Sequence, residues 1–473
     1  MRKRTSKAIK AGVGYTLGNI LVKGIGFISL PIFSRLMTTE EFGVYNIFIS
    51  YEAFLYVIIG FAIHSSIRNA NLEFRGRIDE YTSSVTLIYV SNLVIFSILA
   101  FVLRKRITLF IGFDIVIVFL LLIYSFGSAV LTLYNERMAL DYAYKRYLQI
   151  AIFNSVGNIS ISLFMIFTFF FNCKDYGRIV GTTITLGAIT VFVLWKLYCR
   201  ARPRYNRVYW KFAVRYSLPI VPHGISQVLL SQFDRIMIRQ LVGNSEAGIY
   251  SLAANVQLIL TIIINSVIIP WNTWFYERVD RNEVQLLKNK ARELCTLFAI
   301  FAIGLIAISP ELIYILGGER YSVGKYVAIP LIVASFFIFL YDMVVLGEYY
   351  TKKTQYIMLT TMLAALLNII TNYIFIRKFG FIVAAYTTLF SYFIYLLLHM
   401  TVSKKLIGFY IIPLNGLIGY ISYMCFSAVL SIIFINHIVI RWSLCLFEIL
   451  PFAMWLYKKN SETIKEIVIR GRI

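Results

Sequence analysis

Apolar residues in this chain fall into about fourteen runs, near 13–34, 43–64, 82–103, 113–134, 147–171, 178–198, 218–241, 248–271, 294–317, 325–347, 355–376, 380–402, 412–435 and 438–457. Each is close to the roughly 20 residues that an α-helix needs to cross a bilayer core of about 30 Å. Inside lipid the backbone must satisfy its own hydrogen bonds, so runs of this length read as helices. The polar segments between them are short, the longest being 199–217 and 275–293. The pattern predicts an all-α integral membrane protein of about fourteen transmembrane helices, with no soluble domain between them. Composition agrees: 59% of residues are hydrophobic and 15% charged, against roughly 45–50% and 25% in soluble proteins.

The charge has to be read on that layout. A net +23 in a soluble chain would suggest nucleic acid, but here the basic residues lie in short loops, so no nucleic-acid partner is expected. They act instead as topology signals and as contacts to anionic membrane lipids. With both termini cytoplasmic, the inner segments hold roughly three times as many basic residues as the outer loops, and this sets the expected orientation. The run Arg104-Lys105-Arg106 is the one dissenting outer loop. The basic tail 458–473 is amphipathic and reads as a surface helix on anionic lipid. The first apolar run is too long for a signal-peptide core. Five scattered cysteines give neither a disulfide framework nor a zinc site. No cofactor or metal is expected. The sequence has no phosphate loop, so no ATP motor is built in, and no HExxH or GxSxG; with no sizeable outer domain or loop to act on a substrate, no enzymatic activity is expected.

The stretch CRARPRYNRVYWKFAVRYS (199–217) divides the chain after six apolar runs. The expected organisation is a six-helix bundle over 1–205, a second over 209–405, and a terminal helix pair with a basic tail over 406–473. The second half opens as a faint copy of the first. At an offset of 205, LMTTEEFGVYNI (36–47) lies over LVGNSEAGIYSL (241–252), with Leu36/Leu241, Glu41/Glu246, Gly43/Gly248 and Tyr45/Tyr250 identical. Six is an even number, so both halves enter the membrane in the same sense. That makes a parallel pseudo-repeat, an arrangement found in transporters that rock about a central site.

The segments GYTLGNILVKGIGFISLPIFSRLMTTEEFGVYNIF (14–48) and RYSLPIVPHGISQVLLSQFDRIMIRQLVGNSEAGIYSLA (215–253) resemble the Wzx-type polysaccharide flippases of the multidrug/oligosaccharidyl-lipid/polysaccharide (MOP) superfamily. Length and the number of spans are similar as well. The resemblance implies two six-helix bundles around a cavity and a terminal helix pair. It also implies a function: flipping undecaprenyl-diphosphate-linked oligosaccharide repeats, for O-antigen or capsule assembly, from the inner to the outer leaflet of the bacterial cytoplasmic membrane. A multidrug/cation antiporter of the same superfamily is the alternative, and either could use H+ or Na+ as coupling ion.

Charge at bilayer depth costs about 2.5–3.5 kcal/mol on insertion scales, so each such residue calls for a partner or a wet cavity. Lys23 sits mid-way along the first run, too deep to snorkel. It either meets a substrate anion or pairs with Glu52 at similar depth on the next run. Gly24, Gly26 and Pro31 mark its helix as one that bends or packs closely. The seventh run carries His223, Gln227, Ser231 and Asp234 as one polar stripe, with Arg235 and Arg239 on the adjacent face. The two arginines read as a cationic wall for the diphosphate or, for Arg239, as an interfacial anchor. Asp234 would orient Arg235, exchange a proton or fix packing. For His223, near the inner interface, packing is favoured over a proton relay. Arg68 with His64 stands at the cytoplasmic mouth, as headgroup receptor or positive-inside anchor. Asn154, Asn158 and Ser162 share a face, as do Asn368, Thr371 and Asn372; both sets read as interhelical hydrogen bonding more readily than as sugar contacts. Trp271 and Trp274 fit an interfacial aromatic belt.

Overall fold

A computed structural model describes the backbone of residues 2–470, and the side chains of 21–459 together with Gly14 and Gly18. Those residues form helices and no strand. Fourteen long helices follow one another: α1 (Arg2–Leu36), α2 (Thr39–Gly60), α3 (Ile78–Val102), α4 (Ile115–Leu140), α5 (Tyr144–Thr168), α6 (Lys174–Arg200) and α7 (Ile220–Leu241); then α8 (Asn244–Asp280), α9 (Val284–Gly317), α10 (Glu319–Tyr350), α11 (Thr354–Phe379), α12 (Val383–Ile407), α13 (Leu414–Ile433) and α14 (Ile438–Arg470). Among the described residues, twelve are long and apolar enough to cross a membrane. Of the other two, α7 carries Asp234, Arg235 and Arg239 within its length, and α1 is described in full only from residue 21. Of the two basic tails, only the helical backbone to Arg470 and the lysines 458 and 459 are described at the C-terminus. The side chains of 1–12 and 460–473, and any surface role for them, lie outside the described residues.

Local chemistry sets the helix ends. Thr38 caps α2 in a reciprocal box: its hydroxyl accepts from Glu41 N at 3.1 Å, and Glu41 Oε2 accepts from Thr38 N at 2.8 Å. That box satisfies two of the free donors at a helix start, which explains the T-x-x-E of the hairpin. Asp114 caps α4 through Oδ1 to Val116 N and Ile117 N. Just before it, Gly112 ends the short helix Arg104–Ile111 at φ +72°, a conformation that suits glycine.

The chain divides into two compact units, Met1–Gly248 and Ile249–Ile473. In the first, α4 and α6 each bury half of their apolar window and form the centre. α5 lies close along α6 because Gly181 faces the Ser162 backbone, where a Cβ would sit 2.4 Å away. α7 packs on α2, with Phe233 edge-on to Phe54 at 6.0 Å and Gly224 against Val57. The linker forms an amphipathic helix, Arg207–Ser217, capped by Asn206. Its aromatic face is spent on protein: Trp210 donates to Ser84 O at 3.1 Å, and Tyr209 and Phe212 pack edge-on to Phe74 and Tyr81. In the second unit α10 is the core, with 89% of its window buried. Phe339 of α10 stacks on Phe298 of α9 at 4.3 Å, and Tyr420 of α13 bonds Thr296 of α9 at 2.6 Å.

Candidate functional site

Lys23 and Glu52 each lie 13 residues from the α1–α2 turn, a depth of about 20 Å at 1.5 Å per residue. Equal depth does not bring them together. Among the described residues Lys23 makes no salt bridge, whereas the Glu52 carboxylate is bonded by Ser128 of α4. Around Lys23 the helix is open: a Cβ on Gly24 or Gly26 would meet nothing within 4 Å. These glycines therefore make no close packing contact, and their lack of a side chain leaves space beside the ammonium.

The stripe on α7 is divided by its surroundings. Asp234 is buried, Gln227 and His223 are half-buried, and Ser231 is exposed and bonded to its own helix at Gln227 O, 2.8 Å. Arg235 is half-buried and donates to Gln232 one turn before it. Arg239 is held at the α3–α4 connection. It donates to Ile111 O at 3.0 Å and to Gly112 O, and stacks 4.2 Å over Phe113. The arginine thus fastens α7 to the α3–α4 connection, and Arg235, six residues from the end of α7, is the deeper cation of the two.

Of the remaining sequence candidates, Arg68 pairs with Glu136 at 3.1 Å and stays largely exposed, while His64 stacks on Tyr56. Asn158 is reached by Thr182 Oγ1 at 3.5 Å, and Asn154 is half-buried on the same helix. Asn368 and Asn372 are wholly buried between α11 and α12, where they bond each other and Thr388 and Thr387. Trp271 is buried against Trp274 and Phe275.

The two copies of the hairpin motif meet. A Cβ on Gly43 would lie 1.9 Å from Asn244 O, and one on Gly248 would lie 2.1 Å from Thr39 O. Thr39/Asn244 and Gly43/Gly248 are the positions matched at an offset of 205, so the crossing is symmetric in sequence as well as in space. Beside it, the Thr39 and Ser245 hydroxyls bond at 2.7 Å. Glycine is required here because backbone meets backbone.

Three buried polar groups escaped the sequence reading, which placed them in loops or at helix ends. Arg178 lies under the α1–α2 hairpin, its guanidinium 3.2 Å from the Phe33 ring and 4.2 Å from that of Tyr45. Arg441 of α14 donates to Ala307 O at 2.7 Å, to Ile435 O and to Glu311 of α9. Glu348 and His399, both wholly buried, bond at 2.6 Å, and the other ring nitrogen of His399 meets Thr360 at 2.8 Å. A histidine in an apolar run was a signal available in sequence; its partner was hidden because α10 continues to Tyr350 rather than stopping at 347.

Comparison with known proteins bears on what such a fold does. Among solved structures, the lipid II flippase MurJ in an inward closed conformation superposes with a TM-score of 0.71 at 15% identity, over 95% of this chain and 99% of that one. An inward-facing multidrug resistance MATE family transporter of the MOP superfamily gives 0.60 at 15% identity, over 83% of this chain and 94% of that one. An outward-facing one gives 0.54 at 13%, over 85% and 95%. At these identities the likeness speaks for the fold, which is that of multi-pass membrane transporters and flippases. No curated protein matches the chain. The family model described as "Polysaccharide biosynthesis protein" matches residues 9–275, a stretch that holds most of α1, all of α2–α7, the hairpin crossing, Lys23 and Arg235. That match spans more than half of the sequence, and the chain belongs to the polysaccharide biosynthesis protein family.

Proposed function

We propose that this protein flips undecaprenyl-diphosphate-linked oligosaccharide repeats from the inner to the outer leaflet of the bacterial cytoplasmic membrane by alternating access. The observation that carries the reading is Lys23: a cation about 20 Å below a closed glycine crossing, beside open space and without an acidic partner among the described residues. A lipid diphosphate brings about two negative charges, and a cation held in a low-dielectric cavity binds such a group far more strongly than one in water. Lys23 and Arg235 hold the diphosphate at two depths while the hydrocarbon tail stays in lipid. The bundles 1–205 and 209–405 then rock against each other about the site. With both termini cytoplasmic, the glycine crossing is the outer gate, closed while the cavity loads from inside. MurJ, the flippase with a similar fold, acts on lipid II, a substrate of kindred kind.

The test replaces Lys23 and Arg235 singly by alanine in cells whose surface polysaccharide depends on this protein. Surface polymer should be lost at normal protein levels, and Lys23→Arg should keep part of it, since charge is retained and geometry altered. Glu52 bonds Ser128, so Glu52→Ala should not rescue Lys23→Ala. Rescue would reduce Lys23 to a structural partner and sink the binding role. Unchanged polymer accompanied by altered drug tolerance would favour the antiporter.

A further inference from the structure

A cavity of about 470 Å³ opens between α4, α5 and α6, and none of its lining residues belongs to α1, α7 or the glycine crossing. Its walls are apolar, from Ile150 and Phe153 of α5 and Ile189 and Phe192 of α6. Its mouth is cationic. Arg146 stands in the first turn of α5 and Lys196 in the last turns of α6, and because the two helices are antiparallel neighbours both charges fall at one end of the slot, with Gln149 lining it one turn after Arg146. From Arg146 to Phe153 the slot runs about 10 Å along the helix.

The mouth cations differ from those around them. At the same end Arg137 is held by Asp79 at 2.8 Å and Asp141 at 2.9 Å, Arg200 lies 3.5 and 3.7 Å from the same two carboxylates, and Arg68 pairs with Glu136. Arg146 and Lys196 form no ion pair among the described residues. The Lys196 ammonium sits 4.8 Å over the Phe192 ring, on the wall of the slot. Size, apolar walls and a few convergent donors match a ligand pocket, and basic pockets between membrane helices suit phospholipid headgroups. The occupant comes from the bilayer because α5 buries only 11% of its apolar window, the least of the twelve candidate spans, and Phe153 and Phe192 at the slot are exposed.

We propose that this slot is a binding site for an anionic phospholipid, its phosphate between Arg146, Lys196 and Gln149 and an acyl chain against Phe153 and Phe192. The lipid is a resident that steadies α5 on α6, and it is distinct from the cargo.

The test uses the full chain in nanodiscs of phosphatidylcholine with and without phosphatidylglycerol, read by thermal unfolding and by native mass spectrometry of retained lipid. Phosphatidylglycerol should raise the melting temperature and stay bound, and phosphatidylcholine or inorganic phosphate should do neither. The pair Arg146→Gln with Lys196→Gln should weaken retention at least tenfold. So should Ala188→Trp, which fills the slot and leaves both charges in place. Should a variant misfold, its melting temperature in pure phosphatidylcholine will reveal it, and the other variant then decides. Equal retention of phosphatidylglycerol by all folded variants overturns the proposal. So does displacement of phosphatidylglycerol by polyprenyl diphosphate at equal concentration, which would make the slot a cargo site.

Discussion

Gly43→Ala is the most direct perturbation of the conformational cycle proposed above. The added Cβ would lie 1.9 Å from Asn244 O, where ordinary contact begins at 3.4 Å, a shortfall of about 1.5 Å. The obstacle is backbone on both sides, with Asn244 C at 2.9 Å and Gly248 N at 3.0 Å, so no rotamer change relieves it. Overpacking of a tight contact costs about 1–3 kcal/mol. That cost falls only on the conformation in which the hairpins cross. A penalty near 2.7 kcal/mol is therefore about a hundredfold shift toward the open form, enough to take a 99:1 equilibrium to near parity. The readout is maleimide labelling of Ser245→Cys in purified protein whose five native cysteines are replaced. Ser245 is bonded to Thr39 at 2.7 Å in the closed crossing and should label slowly. With Gly43→Ala the rate should rise tenfold or more, and surface polymer should fall. Gly248→Ala should do the same, because its Cβ meets Thr39 O at 2.1 Å. Gly416→Ala and Gly419→Ala, on α13 and outside the proposed site, are the controls, since nothing lies within 4 Å of either. Unchanged labelling in Gly43→Ala, or a Gly416→Ala variant as impaired as Gly43→Ala, would refute the gate.

Thr39→Cys with Ser245→Cys should form a disulfide under mild oxidation and stop transport until reduced; failure to cross-link would show that the two hairpins do not meet in the membrane. Glu311→Ala strands the buried Arg441 guanidinium and should cost about 3 kcal/mol, seen as a lower melting temperature in detergent, while an added Arg441→Met should recover most of it. Single cysteines at Ser322 and Asn206 test orientation: an impermeant maleimide should label the first in intact cells and spare the second, and the reverse would invert the direction of transport proposed.

The lengths of the apolar runs were enough to place the long helices of this protein. In a bilayer the solvent enforces a length near 20 apolar residues and forbids unpaired backbone, so long apolar runs translate into helices nearly one for one. Short-range chemistry was equally readable: Thr38 and Glu41 three residues apart form a capping box, and the 36–47 and 241–252 copies announced a repeated hairpin. Pairing between distant helices was not readable. Lys23 and Glu52 share a depth, but depth leaves the rotation of each helix about its axis undetermined, and it is rotation that turns Glu52 to Ser128 and Lys23 to open space. The same indeterminacy hid Arg178 under Phe33 and Tyr45, Arg441 against Glu311, and His399 against Glu348, each partner lying on another helix. Lipid sets where a helix starts and stops, because transfer energy sums along the chain. Which face meets which neighbour is decided by side-chain packing across helices tens to hundreds of residues apart, and only the folded structure carries that information.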